Sequence, residues 1–301
     1  MAFTSCSSSL RVPPIRSSTY LLVPDLMLTK TIPWRFLCTV LSALPLAATA
    51  QASEQNAGGQ QICTAKTLDA VGHFLKTEPF SMGGVVVAAA CKSFPSDRSL
   101  TLVSAAYDGN IQDGKALVIA LVDEPRGQVV SSYRGAIEEH AAMRIVASSL
   151  RLDTPPYVLA PGVRAFGLDL TSKELFHPCI EGGWGTIRTL YVREGAQIRP
   201  VLVDLIKSEW DAVQGTANCP TSPEPPIIES FKLTLSMSRQ SSHGYRDIVV
   251  TASSSRDDGL ASTRKPFRHT LHYDGRMYDQ EGMRKAFSQW RAGKLTISER
   301  P

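Results

Sequence analysis

The sequence predicts a mainly β protein of antiparallel hairpins with two or three short helices, and a disulfide-stabilised α+β arrangement is the alternative. Three observations support the mainly β prediction. Short apolar or alternating runs recur at close intervals, residue pairs that contain Gly and favour turns separate them, and few stretches have helical spacing. The 301 residues are 43% hydrophobic and 20% charged. This balance is typical of a globular chain and excludes wholesale disorder, collagen-like repeats and multi-span membrane proteins.

The first half of the chain contains one clear helical pattern followed by strand patterns. Apolar residues at helical spacing predict a helix over about 62–76, with Cys63 in its first turn. A short apolar run then ends at Cys91. The runs 99–107 and 116–123 are bounded by Asp-Gly pairs and predict strands, the second buried on both faces. A weaker helical stretch is predicted over about 137–148.

The second half is dominated by strand and turn signals. Short strands are predicted at 157–159 and 165–170, and a long hairpin at 186–205 turns at its Arg-Glu-Gly-Ala segment. In the first arm of that hairpin Arg188 shares a face with Leu190 and Val192. The proline-rich stretch 221–229 predicts a connector.

The last segment is predicted to form further hairpin strands and a closing helix. Asp274-Gly275 indicates a hairpin turn, and Met283, Phe287 and Trp290 stand at helical spacing. The predicted organisation is a main β-rich domain at 53–220, the connector at 221–229 and a C-terminal β-hairpin subdomain at 230–301.

The segment Met27–Ala52 has the order of a secretory signal peptide. Lys30 and Arg35 precede the apolar run Phe36–Leu46, and small residues then form an A-x-A cleavage site. We therefore expect a signal peptide within 1–52, a periplasmic or secreted mature protein, and no transmembrane segment after cleavage. We interpret 1–26 as a mis-called start with Met27 as the true one. An uncleaved anchor helix and an organelle transit peptide are the alternatives.

Four cysteines remain after this segment: Cys63, Cys91, Cys179 and Cys219. An even number in an exported chain favours disulfides, and four cysteines allow three connectivities. We favour Cys63–Cys91 and Cys179–Cys219, because each closes a local segment worth about 3–4 kcal/mol in the chain-entropy model. A four-thiolate metal site and free buried thiols are the other readings, although no C-x-x-C pair occurs.

Charge is unevenly distributed along the mature chain. It holds 28 Lys/Arg and 27 Asp/Glu, whereas residues 239–301 carry 12 positive and 7 negative side chains. The near-neutral total argues against nucleic acid, so the expected partner of the basic segment is an anionic envelope component or an acidic protein. A solvated face with acidic neighbours is the alternative. The candidate ligand-binding residues of this basic-aromatic face are Arg256, Arg264, Lys265, Arg268, Tyr273, Arg276 and Tyr278.

No catalytic residue, cofactor or metal site is predicted, although several motifs come close. The segment 109–115 begins like a phosphate-binding loop, but Ala116 and a strand follow it. Residues 108–119 begin like a calcium loop without its glycine and glutamate. Ser262 and Lys265 have the S-x-x-K spacing, but in a predicted loop. His243 and Asp247 with nearby serines are interpreted as solvated loop residues.

One segment resembles a known family. His243-Gly244-Tyr245-Arg246-Asp247-Ile248-Val249-Val250 resembles the end of an FG-GAP repeat. The resemblance implies a four-stranded propeller blade, often with calcium in its acidic loop, although Ser241, Ser242 and His243 stand where carboxylates are expected. The C-terminal part also looks like that of uncharacterised exported bacterial β-rich proteins. This likeness implies an envelope location but no activity.

The function we expect is that of an exported, non-catalytic binding or envelope-associated protein. A periplasmic hydrolase whose site is assembled from distant residues is the competing class. An inhibitor of an envelope-attacking hydrolase, acting through an exposed loop such as Ser253–Arg264, is a further alternative. A deep pocket that joins a histidine to an acid and a nucleophile would favour the hydrolase.

Overall fold

Strands make up most of the protein in the computed structural model, which confirms the mainly β prediction. The predicted signal peptide and Ser262 lie outside the described residues. The described residues all fall within one compact unit, Gln51–Pro301. They are 55–56, 60–141, 143–172, 179–217, 219, 221, 225–260 and 264–293.

Two helices and fifteen strands are found in the described residues. The helices are α1 (Ala65–Leu75) and α2 (Glu281–Arg291). The strands are β1 (Gln55–Asn56), β2 (Gln60–Gln61), β3 (Val86–Ser93), β4 (Leu100–Tyr107), β5 (Gly114–Asp123), β6 (Gln128–Glu138), β7 (Leu150–Ala160), β8 (Val163–Thr171), β9 (Gly182–Trp184), β10 (Thr186–Glu194), β11 (Gln197–Ile206), β12 (Ser208–Gln214), β13 (Ile227–Ser242), β14 (Tyr245–Arg256) and β15 (Phe267–Leu271).

The strands form two sheets. A ten-stranded sheet has the order β1-β2-β3-β4-β5-β6-β11-β10-β8-β7, and a five-stranded sheet has the order β15-β14-β13-β12-β9. Neighbouring strands are antiparallel except β6 and β11, which pair in parallel through Ser132 and Gln197. The ten-stranded sheet is curled, because its edge strand β7 packs against β3 and β4. The chain crosses between the sheets where β11 ends and β12 begins.

Helix α1 confirms the first predicted helix but starts later than expected. The Thr64 hydroxyl accepts a hydrogen bond from the Thr67 N–H at 3.1 Å and so caps the first turn. Cys63 therefore lies before the helix rather than in its first turn. At the other end Lys76 takes a left-handed conformation, with φ 59°, and ends the helix.

Replacing the cap residue tests how α1 is held. We expect Thr64→Ala to lower the free energy of unfolding by about 1 kcal/mol, because the Thr67 N–H loses its acceptor. Chemical denaturation measures the change. Thr64→Ser keeps the oxygen and is the matched control, so an equal loss in both variants would contradict the capping role.

Strand β5 is buried on both faces, as predicted. Every residue from Ala116 to Asp123 is buried. Val118 and Ala120 contact the core beneath α1, whereas Leu117 and Ile119 face the core inside the curled sheet. The continuous apolar run of this strand is explained by these two cores.

The helix predicted over 137–148 is wrong. Strand β6 extends to Glu138, and an irregular segment follows it. The Glu139 carboxylate accepts from the Ile145 N–H at 2.7 Å, and the Ser149 hydroxyl accepts from the Val146 N–H at 2.9 Å. Side-chain acceptors thus replace the backbone acceptors that a helix would use.

The hairpins of β7 with β8 and of β10 with β11 are confirmed, and some strands are longer than predicted. The predicted hairpin at Asp274-Gly275 is reduced to a single bridge between Tyr273 and Tyr278. Strand β7 continues through Pro155 and Pro156 because it lies at the sheet edge, and its register to β8 shifts between Asp153 and Tyr157. The long hairpin is formed by β10 and β11.

The proline-rich stretch 221–229 joins two paired strands. Ile227–Glu229, the last residues of this stretch, belong to β13, which pairs with β12 from the preceding segment. The five-stranded sheet therefore contains strands from both sides of the predicted boundary. The closing helix is confirmed as α2, which buries Met283, Phe287 and Trp290 against Phe231 and the rest of the core between the sheets.

Both favoured disulfides are present. Cys63 and Cys91 join the segment before α1 to β3, and their Cα atoms are 5.1 Å apart. Cys179 and Cys219 enclose the segment from β9 to β12, with Cα atoms 4.2 Å apart. Two disulfides are compatible with an oxidising compartment.

Candidate anion-binding site

The two tyrosines of the basic-aromatic face predicted from the sequence are buried, and two of its arginines are paired with carboxylates. Tyr273 and Tyr278 are each only 3% exposed and belong to the core between the sheets, so they cannot offer ring faces to a ligand. Arg256 pairs with Asp258 at 2.6 Å, and Arg264 pairs with Glu229 at 2.9 Å. The exposed members of the set are Lys265, Arg268 and Arg276.

A different group of cations surrounds a pocket at the junction of the two sheets. The pocket has a volume of about 400 Å³. Among the described residues that line it, four are basic and none is acidic. These residues are Arg151, Tyr157, Thr186, Arg188, Lys207, Ser208, Lys232, Leu233, Thr234 and Leu235. We call this the junction pocket.

The crossing of the chain between the sheets brings these cations together. Arg151 and Arg188 belong to β7 and β10 of the ten-stranded sheet, and Lys232 belongs to β13 of the five-stranded sheet. Lys207 is the single residue between β11 and β12, and its carbonyl accepts from the Leu233 N–H at 2.7 Å. The site therefore depends on contacts between residues distant in sequence.

Arg188 is the buried centre of an ion network behind the pocket. Its Nε and Nη2 donate to the two oxygens of Asp169 at 2.6 and 2.7 Å. Its Nη1 lies 2.6 Å from both the Tyr157 hydroxyl and the Asp153 carboxylate. The Arg188 donors are thus occupied within the protein, which fixes its guanidinium in place.

Asp169 holds three cations at once. Its carboxylate is 1% exposed and also accepts from Arg151 at 2.7 Å and from Lys207 at 3.3 Å. Burial acts to raise the pKa of Asp169, but the hydrogen bonds and charges of Arg188, Lys207 and Arg151 outweigh it, so the pKa lies below its usual value. The carboxylate is therefore charged at neutral pH.

The cations exceed the carboxylates behind them by two charges. Arg151, Arg188, Lys207 and Lys232 face the two anionic partners Asp153 and Asp169. The Arg151 side chain is 54% exposed, which leaves part of its guanidinium free to donate outward. Among the residues that the structure describes, Lys232 forms no ion pair, and it is exposed. The outer side of the pocket is therefore positive.

Hydroxyl groups complete the pocket. The Ser208 oxygen accepts from the Thr186 N–H at 3.1 Å, so its own proton is free to be donated to a ligand. Thr186 and Thr234 also line the pocket. Cationic and hydroxyl donors around one cavity are the groups that bind phosphate, sulfate or carboxylate oxygens.

Sequence reasoning did not identify the junction pocket, although one signal for it was available. The predicted hairpin already placed Arg188 on the same face as Leu190 and Val192. A charged residue in an otherwise apolar row indicates a buried charge with a partner. The partners Asp153 and Asp169 come from another hairpin, and single-sequence patterns do not show that contact.

Asp247 lies beside His272 rather than His243. The Asp247 carboxylate and the Ser242 hydroxyl both contact His272 Nδ1, at 3.0 and 3.3 Å. A catalytic triad needs the hydroxyl at Nε2 and the carboxylate at Nδ1, so this geometry is not that of a triad. His243 Nδ1 instead contacts the Tyr273 carbonyl at 2.8 Å.

The described residues of the other segments that resemble functional motifs lie in strands and turns. Lys115 of the phosphate-loop-like segment lies on β5 and pairs with Asp108 at 2.7 Å. In the segment Ser253–Arg264, the candidate inhibitory loop, Ser253–Arg256 form the end of β14, and residues 257–260 are exposed and lie outside any strand. Within the described ranges, no group of three or more His, Cys, Asp or Glu side chains is placed to hold a metal ion.

Neither described helix has both the length and the apolar character needed to cross a bilayer. No protein-family model, no curated protein and no solved structure matches this chain.

Proposed function

We propose that this protein is an exported, non-catalytic binding or envelope-associated component that binds an anionic ligand in the junction pocket. The observation that carries the proposal is the lining of that pocket, where the described residues supply four cationic side chains and no carboxylate. The secretory pattern of the N-terminal segment and the two disulfides support a periplasmic or secreted location.

The pocket suits an anion because its cations are preorganised. Asp169 holds Arg188, Arg151 and Lys207 in place before any ligand arrives. A ligand therefore loses less free energy to the ordering of side chains than it would on a solvated surface. Partial burial also reduces the screening of these charges by salt.

Two lysines at different places test where anions bind. We expect Lys232→Gln to weaken sulfate binding about fivefold, because one exposed cation of the pocket is lost. The matched control is Lys265→Gln, which removes an exposed lysine of the face predicted from the sequence and should leave sulfate binding unchanged. Titration with sodium sulfate, followed by NMR at low ionic strength, measures both. The reverse result would place the anion on the C-terminal face.

The pH dependence of sulfate binding tests the role of Lys207. Burial, together with the charge of Arg188, lowers the pKa of Lys207 below its usual value of 10.5. The cation is therefore lost at a lower pH than that of an exposed lysine. We expect sulfate affinity to fall as the pH rises toward 10, and Lys207→Arg to reduce this fall because arginine stays charged. An equal fall in both proteins would show that Lys207 is not involved.

A further inference from the structure

The geometry points to an extended acidic polypeptide as the bearer of the anion, bound as an added strand along the open edge of β13. This inference rests on the proposed function, since the same pocket receives the negative charge. It names the class of partner, a protein segment with at least one carboxylate, rather than a free small anion.

Strand β13 is paired on one side for most of its length and on the other side only at its start. Its pairing with β14 runs from Glu229 to Ser242 with one irregularity. Its pairing with β12 ends at Lys232, opposite Ser208. Beyond that point no described strand pairs with this side of β13, so its second half forms a sheet edge.

The backbone groups on that edge can be assigned from one hydrogen bond. The Leu233 N–H donates to the Lys207 carbonyl, so Leu233 directs its backbone toward the β12 side. Alternate residues of a strand share a side, so Leu235 and Met237 direct their N–H and C=O groups to the open edge. These groups are the donors and acceptors that an added strand uses.

The open edge is not protected in the way that exposed strand edges usually are. Natural sheets block free edges with proline, with charge or with short strands. The edge strand β7 of the other sheet contains Pro155 and Pro156. By contrast, the segment 233–238 of β13 contains neither proline nor a charged residue, and Thr234 and Ser236 are exposed. This edge is thus suited to pairing.

Charge complementarity identifies what pairs there. The edge begins inside the junction pocket, whose lining includes β13 from Lys232 to Leu235. A strand laid along Leu235 and Met237 would bring its own residues beside Lys232 and Lys207. Arg239 continues the positive charge along the exposed part of β13. An acidic segment satisfies both the backbone edge and the cations, whereas a free anion uses only the cations.

The test uses an acetylated peptide, Thr-Val-Thr-Val-Ser-Val-Asp-Glu, labelled with a fluorophore, and two versions of it. One version is N-methylated at the odd positions and the other at the even positions. In an added strand only one set of amides faces β13, so we expect one version to bind at least tenfold more weakly and the other to bind nearly as the parent does. Fluorescence anisotropy measures the three affinities.

A variant of the protein, instead of the peptide, also tests the added strand. Met237→Pro removes one N–H from the open edge and spares the residues that bond to β14, and proline is tolerated at sheet edges. We expect it to weaken peptide binding at least fivefold without changing sulfate binding, whereas Met237→Leu changes neither. Thermal unfolding shows whether the proline variant is folded. If it is not, the two methylated peptides decide the question.

The outcomes separate this inference from the proposed function. If sulfate binds in a Lys232-dependent manner but both methylated peptides bind like the parent, the strand addition is wrong and the anion site remains. If the peptide binds no more tightly than the dipeptide Asp-Glu, the inference is also overturned. If neither sulfate nor peptide binding depends on Lys232, the proposed function itself fails.

Discussion

Arg188→Met is expected to lower the free energy of unfolding by about 3–5 kcal/mol, because it leaves the buried Asp169 carboxylate without its two-bond partner. The methionine fills much of the same volume, so the loss reports mainly the missing ion pairs of Arg188 with Asp169 and Asp153. Arg151 and Lys207 still contact Asp169 in this variant. Urea denaturation at neutral pH measures it. The ion pair of Arg188 with Asp169 stabilises the folded protein at every pH above the pKa that Asp169 has in the unfolded chain. This stabilisation is lost as the pH falls through the lower pKa that Asp169 has in the folded protein.

Arg151→Met is the matched control for this prediction. Arg151 donates to the same Asp169 carboxylate, but through one bond and from a half-exposed position. We expect a loss of no more than about 1 kcal/mol, because Arg188 still pairs with the carboxylate. Equal losses in the two variants, or no loss in either, would contradict a network centred on Arg188.

The double variant Cys63→Ala with Cys91→Ala is expected to lose about 3–4 kcal/mol of unfolding free energy. The bridge closes a segment with a sequence separation of 28 and holds the start of α1 against β3. Helix α1 in turn covers the core that contains Val71, Val103 and Val118. Without the bridge, the unfolded chain gains freedom and the start of α1 loses its covalent link to β3.

Reductant provides the control for the disulfide prediction. The wild-type protein should lose stability in dithiothreitol, whereas the double variant should lose only what the second bridge, Cys179–Cys219, contributes. Denaturation of both proteins with and without reductant measures the four values. A wild-type protein whose stability does not change on reduction would contradict a structural role for the bridges.

Much of the fold could be predicted because its signals are local. The hairpin of β10 and β11, the buried strand β5 and the helix α2 each show their own periodicity, and turn residues mark their ends. The disulfide pairs follow from short separations along the chain. Sequence patterns act at this range, so these elements were predicted correctly.

The rest depends on contacts that no local pattern encodes. The parallel pairing of Ser132 with Gln197 and the network of Arg188 with Asp169 join distant segments. The burial of Tyr273 and Tyr278, two residues of the predicted basic-aromatic face, has the same cause, since they lie in a core that forms only when both sheets meet. Residues 137–148 have apolar residues at helical spacing but do not form a helix. The N–H groups of Ile145 and Val146 donate to side chains instead of to helical carbonyls.

The most direct test of the account is the position of a bound oxyanion. Crystals soaked in sodium selenate and measured at the selenium absorption edge show the anion by its anomalous signal. We predict the strongest selenate peak in the junction pocket, within hydrogen-bonding distance of Lys207 or Lys232. A peak at Lys265 or Arg268, with none in the pocket, would contradict it.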